Sequence, residues 1–339
     1  MKKVTIQDIA KEMKLSRNTV AKALNGGRVS IDTKMNVVKV AQQMGYAKIG
    51  DQLREELQQY SRRHYTGTIL VLMQKWESVF MQPIVTGMTQ GALLEGFRIQ
   101  VHIVDEDSMR AEIILGQLYE DVRGIIFLGV FPTAFVKQIA ASGLPITFFN
   151  TPVNAQEYIE IGDVYSLESF YAMNRMISYC IESRHCRSFM FIGDAEGSRG
   201  IQARMLGFIG ACNQHGIKIP DKMLCTRPQK DKFFTYSEVK LVLEALEEMP
   251  DAFVCENDEV AKQVALWLFQ NEEGHGLQHV ITGFGNQIGQ DFFRQDIVTV
   301  EVRMEALGKR LVKSIVDRVK DPDMDISFVT VATYPKVFL

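Results

Sequence analysis

No stretch of this chain stays apolar for the roughly 20 residues that a membrane-spanning helix needs. The opening MKKVTIQDIAKE has no apolar run behind its two lysines, so a secretory signal is not expected and the cytoplasm is. Cysteine is sparse. Cys180, Cys186, Cys212, Cys225 and Cys255 are scattered, odd in number and without CxxC spacing, which points to reduced packing residues. The six histidines (64, 102, 185, 215, 275 and 279) show no metal-ligand spacing, so no metal or other cofactor is expected. A P-loop, HExxH, GxSxG and a catalytic Cys/His arrangement are all missing, which argues against an enzyme. GDAEGSRG lacks GxGxxG spacing, and Gly193 and Gly197 read as residues that shape a turn.

What is present is a globular composition, 46% hydrophobic and 23% charged, in a chain of 339 residues, too long for one ordinary core. The net charge of −3 is unevenly distributed. Residues 1–50 carry ten Lys and Arg against only Asp8, Glu12 and Asp32, which leaves a basic head on an acidic body. Such a head suits a polyanion. Thr5 to Asp8 has capping-box spacing, and Ile6, Ile9, Ala10 and Met13 follow a helical stripe. Met13-Lys14-Leu15 reads as a turn, and Ser16 as the N-cap of a second helix through Leu24. Asn25-Gly26-Gly27 ends that helix. A third helix after Ser30 runs to about Met44, burying Val37, Val38, Ala41 and Met44. Two short helices, a tight turn and a supporting helix form a helix-turn-helix pattern.

Within LSRNTVAKALN, Val20, Ala23 and Leu24 fall on one arc, while Arg17, Asn18, Ala21, Lys22 and Asn25 fall on another. Arg17 matches guanine O6 and N7, Asn18 matches adenine N6 and N7, and Lys22 reaches a guanine or a phosphate. Ser16, Thr19 and Asn25 suit phosphates, and Thr5 and Tyr46 complete the expected DNA-facing set. The segment from Val4 to Tyr46 closely resembles the headpiece of the lactose-repressor (LacI/GalR) family. Val4, Thr5, Asp8, Ala10, Ser16, Thr19, Val20, Asn25, Val29, Ser30, Thr33, Gly45 and Tyr46 stand in that family's places. The chain departs from the pattern at Lys14, where the family has a turn glycine, and at Ala21-Lys22, where it has Ser-Arg. Lysine keeps the charge and loses the planar fork.

The resemblance implies a hinge helix after Gly-Tyr, with a leucine that wedges into the minor groove. Here no proline follows Tyr46, and Glu55 falls where that leucine belongs. The reading is instead an amphipathic linker helix from about Asp51 to Tyr60. Leu53, Leu57 and Tyr60 form its stripe, which pairs across a dimer or packs on the body without kinking DNA.

From Thr66 onward, apolar strands (GTILVLM, FRIQVHIVD, GIIFLGV, PITFFN, RSFMFIG, DAFVCEN, HVITGFG) alternate with helical segments, among them Pro83 to Gly96 and Ser108 to Asp121. That alternation indicates parallel sheets covered on both faces, and ligands then bind beyond the strands' carboxyl ends. The expected fold is an all-α helix-turn-helix headpiece on a two-lobed α/β body like a periplasmic binding protein. The divisions are 1–47 headpiece, 48–65 linker and 66–339 body. Lobe 1 covers about 66–153 and 290–320, and lobe 2 about 154–289 and 321–339.

SRGIQARMLGF and PDAFVCENDEVA resemble the family's effector-domain signatures, which makes Arg204 the counterpart of its ligand-gripping arginine and places Asn257 at the cleft. Asn150 replaces an aspartate at the end of TFFN, and Phe233 aligns with an aromatic that stacks on a sugar or base. Gln74, Trp76 and Phe80 follow the opening strand as the other wall. Gly285 stands where the family's GF-D-D places a ligand-binding aspartate, so the pocket reads as less acidic, with Arg204 uncompensated and an anionic effector favoured. Together these features imply a transcription regulator, most simply a repressor. It would bind a pseudo-palindromic operator as a homodimer and respond to a sugar or sugar phosphate. A solute-binding protein or an enzyme on the same two-lobed body is the alternative.

Overall fold

The computed structural model describes residues 4–46, 48, 50, 53, 56–57, 65–74, 78–105, 109–116, 118, 120–231, 233–271, 279–286 and 297–335. Its first elements are α1 (Ile6–Glu12), α2 (Arg17–Leu24) and α3 (Ile31–Gln43). Each begins on a hydroxyl side chain that accepts from a backbone N–H three residues on. Thr5 accepts from Asp8 at 3.4 Å, Ser16 from Thr19 at 3.0 Å and Ser30 from Thr33 at 3.3 Å. Asp8 closes its box by accepting the Thr5 N–H at 2.9 Å. Lys14 adopts φ +54°, the left-handed conformation for which glycine is the natural choice, at a cost of about 1 kcal/mol. Ile9, Ala10, Val20, Ala23, Leu24, Val37, Val38 and Ala41 form the buried headpiece core. Met44 caps α3 and is only partly buried.

The body begins with β1 (Gly67–Gln74), α4 (Ser78–Leu94), β2 (Phe97–Val104), α5 (Ala111–Gly116), β3 (Val122–Leu128), α6 (Thr133–Ala140), β4 (Ile146–Phe149) and β5 (Asp163–Leu167). Then come α7 (Phe170–Ser183), β6 (Phe189–Ile192), α8 (Arg199–Gln214), β7 (Leu224–Cys225), α9 (Tyr236–Glu244), β8 (Ala252–Cys255), α10 (Asp258–Asn271) and β9 (Val280–Thr282). The chain returns through β10 (Val300–Glu301), α11 (Met304–Lys320), β11 (Phe328–Val331) and β12 (Tyr334–Pro335). One parallel sheet has the order β11-β5-β4-β3-β1-β2, and a second has β7-β6-β8-β9. β10 and β12 pair antiparallel. Period-two alternation splits β1 between two cores. Leu70 and Leu72 join Phe127, Phe148 and Ile139 on one face, while Ile69, Val71 and Met73 join Ile84, Met88, Leu311 and Ile315 on the other. The second core continues into the other lobe through Ile177, Phe191 and Phe208.

Three sequence expectations need correction. α4 starts at Ser78, not Pro83, so the proline lies inside the helix. α5 covers only 111–116 of the helix expected over 108–121. The boundary at 153/154 and the assignment of 321–339 to lobe 2 would put β5 and β11 in the second lobe, but both hydrogen-bond into the first sheet. DVYSL lacks the apolar run of its neighbours because Asp163 is a structural anion. Arg318 donates Nε to its Oδ2 at 2.9 Å, Ser314 donates at 2.6 Å and the Ser327 N–H at 2.8 Å. This buried cluster pins α11 and the start of β11 onto β5.

Candidate functional site

α2 presents Arg17, Asn18 and Lys22 to solvent, with Val20, Ala23 and Leu24 turned into the core. No carboxylate lies on this helix, so nothing on it opposes an approaching polyanion. Ser16 and Thr19 are joined through their hydroxyls at 2.8 Å at the helix entrance, and Asn25 is the exposed C-cap. Thr5 is exposed in its capping box, whereas Tyr46 is half-buried and packs against the headpiece core.

The described linker residues Leu53, Glu56 and Leu57 pack on the headpiece itself. Leu53 is fully buried and Leu57 is 3% exposed, both in the same cluster as Val20, Leu24 and Val38. The Lys34 ammonium, almost buried, meets the Glu56 carboxylate at 2.6 Å and clamps the linker to α3. The expected stripe is therefore present at Leu53 and Leu57, but it covers the headpiece core, to which Leu93 and Leu94 of α4 also pack. Tyr60 and Glu55 lie outside the described residues.

The two lobes meet where β4 ends. Asn150 takes φ +67°, and the Arg199 N–H at the start of α8 donates to the Thr151 carbonyl at 3.1 Å. Deeper in lobe 2, Arg204 is 7% exposed. Its Nη1 donates to the Glu256 carbonyl at 2.5 Å, its guanidinium lies 3.9 Å from the Phe284 ring centre, and its Nε has no partner among the described residues. Burial lowers Arg204 to about 10 against the opposing pull of Glu256 and Asp258. Burial also pushes the Glu256 carboxyl up to about 7, although it accepts the Asp194 N–H at 2.7 Å and lies beside Arg204. Glu256 and Asp258 thus both act on the Arg204 charge, a compensation that the expectation of an uncompensated arginine left out.

Asn257 is half-buried and its Oδ1 accepts the Val260 N–H at 2.9 Å, so that atom is engaged as the cap of α10. Its amide donates to Glu256 at 3.1 Å. Gln74, at the end of β1, donates to the Val130 carbonyl, and its Oε1 is buried without a partner among the described residues. Phe233 is exposed on the loop ahead of α9, with Phe234 in the core beside it. Trp76 lies outside the described residues. Phe80 is in the first turn of α4, and its side chain is not described. Sequence reasoning missed Glu256 and Phe284. A carboxylate closing the apolar strand AFVC was the available signal for Glu256, whereas nothing distinguished Phe284 from other core aromatics. Among the described residues, no group of His, Cys, Asp or Glu is arranged to hold a metal, and no helix is long and apolar enough to cross a membrane.

Residues 179–336 match the periplasmic binding protein-like domain family. Catabolite control protein A of Staphylococcus aureus is 25% identical over 262 residues, covering 76% of this chain and 75% of that protein. The transcriptional regulator CelR, solved with cellobiose, superposes with a TM-score of 0.66 at 18% identity over 98% of both chains. The transcription regulator CcpA of Lactococcus lactis superposes with a TM-score of 0.68 at 16% identity, over 79% of this chain and 96% of that one. With its capped helix-turn-helix head and two parallel-sheet lobes, the chain carries a periplasmic binding protein-like domain over residues 179–336 and is similar in sequence and fold to these transcriptional regulators.

Proposed function

We propose that this protein is an operator-binding repressor whose DNA affinity is set by a sugar or sugar phosphate held between its lobes, acting as a cytoplasmic homodimer. The observation that carries the reading is the exposed Arg17, Asn18 and Lys22 face of α2, free of carboxylates, on a basic headpiece joined to a two-lobed body. One such helix reads only a few base pairs, so two copies on a pseudo-palindrome supply the specificity. In the cleft, the unpartnered Arg204 Nε–H supports a hydroxyl or phosphate oxygen as its acceptor. Asp258, joined by Glu256 where that carboxyl is ionised, favours the uncharged sugar, because a phosphate dianion placed there would face like charge. That the related fold of CelR holds cellobiose supports the same class. The ligand regulates by binding one degree of lobe closure more tightly than the other.

The test begins with selection of an operator from random duplex DNA by the full chain. Titrations by anisotropy follow, with a thermal-shift screen of sugars, sugar phosphates and nucleosides. A selected half-site motif, an affinity that falls steeply with salt, and a stabilising sugar that changes operator affinity without being turned over are expected. Arg17→Ala should lose about 1–3 kcal/mol of discrimination at one base pair per half-site. Failure to enrich any sequence would refute operator binding.

A further inference from the structure

Two long helices of lobe 1 run side by side from the cleft to the headpiece. α4 begins four residues beyond Gln74 at the end of β1, and α11 begins three residues after Glu301, which bridges to Gly285 at the lobe 2 strand ends. At 17 residues each, they are about 25 Å long. They touch backbone to backbone. A Cβ on Gly87 would lie 2.0 Å from the Glu305 carbonyl, and one on Gly308 would lie 2.1 Å from the Ile84 carbonyl. Sliding one past the other would break this contact, so the pair moves as a unit.

The far ends of both helices converge on Glu95. Its carboxylate meets Lys320, the last residue of α11, at 3.1 Å and Lys39 on headpiece α3 at 2.6 Å. It is 14% exposed; burial alone would raise its pKa, but the two ammonium groups outweigh that and hold it ionised. Leu93 and Leu94 press on the headpiece core beside it. The seat is not flush, because a cavity of about 820 Å³ opens between Lys39 and Gln42 of the headpiece and Lys309 and Arg310 of α11. The headpiece rests on the lobe at Leu93, Leu94 and Glu95, beside this cavity.

We infer that Glu95 is a latch: by joining Lys39 and Lys320 it seats the headpiece on the common end of α4 and α11, and so links lobe closure to the orientation of α2 and α3. The linkage half of this inference rests on ligand binding in the cleft; the seating half does not. Zero-length carbodiimide coupling of the ligand-free full chain, followed by peptide mass spectrometry, is expected to yield a Lys39–Glu95 amide. Its absence would overturn the latch. In wild type, the cleft ligand identified by thermal shift should change operator affinity by about 5–150-fold. Glu95→Lys, shown to be folded by circular dichroism and by unchanged ligand affinity, should reduce that ratio to within twofold. Glu95→Gln should reduce it partway, and Lys39→Glu/Glu95→Lys should restore the Lys39 arm. An undiminished ratio in Glu95→Lys would overturn the linkage. If no ligand alters operator affinity even in wild type, the cleft reading fails, and the cross-link alone decides the seat.

Discussion

Truncating Leu57 tests whether the linker belongs to the headpiece. Leu57 is 3% exposed and sits with the fully buried Leu53 against Val20, Leu24 and Val38, so Leu57→Ala removes a core side chain. In packed interiors that change costs about 2–5 kcal/mol, through lost burial and the cavity left behind. A headpiece of roughly 55 residues holds about 3–8 kcal/mol in total, so the variant should be near or past its unfolding midpoint. Hydrogen exchange on the full chain reads this directly. The Val37 and Val38 amides in α3 should exchange about 30-fold faster or more, since each 1.4 kcal/mol is a factor of ten. Operator affinity should fall with it, while ligand stabilisation of the body stays unchanged. If those amides and operator binding match wild type within twofold, Leu57 is not part of the headpiece core and the assignment is wrong.

Three other substitutions probe separate features. Lys14→Gly relieves a left-handed lysine and should stabilise the headpiece by about 0.5–1 kcal/mol in thermal melts, whereas a loss would deny the strain. Asp163→Asn strips the buried Arg318 of its carboxylate partner and should cost about 3–5 kcal/mol in denaturant titrations. Asp163 is held below the usual carboxylate range: burial opposes this, but Arg318 and its other donors prevail, so its contribution is present at neutral pH. Wild type should lose that contribution as pH falls through the acid range, and the variant should show a flatter acid limb. Glu256 behaves in the opposite way. Its carboxyl is raised to about 7, so the folded state binds the extra proton and stability declines between about pH 4.5 and 7. Glu256→Gln should remove that decline, and an unchanged pH profile would place Glu256 outside the buried cluster.

Headpiece features were legible because they are local. A hydroxyl three residues ahead of its N–H partner, as at Thr5, Ser16 and Ser30, is written in consecutive residues, and so is the stripe of Val20, Ala23 and Leu24. The linker was half legible. The spacing of Leu53 and Leu57 indicates that they are buried, but the surface that buries them is a matter of tertiary structure. β5 was hidden because Asp163 interrupts its apolar pattern, and its partner Arg318 lies 155 residues away. Pro83 lies inside α4, and the turn ahead of it has no proline or glycine to mark the helix start at Ser78. In the cleft, Arg204 was found by motif. The carboxylates beside it are not legible from that motif, because Glu256 and Asp258 belong to a different strand-to-helix junction.

The burial of Leu53 and Leu57 in the headpiece also sets a leash length. With the linker anchored to the headpiece through Leu57 and the first sheet starting at Gly67, only residues 58–64 separate Leu57 from Tyr65. Eight peptide steps span at most about 28 Å, whatever path they take. A headpiece lifted off lobe 1 would therefore stray no farther than that from its own body, and in the proposed homodimer two of them would be confined to half-sites within a bounded separation. On the proposed function, operator spacing would be governed by the count of residues after Leu57. Lengthening that segment should broaden the tolerated spacing without altering a single base contact.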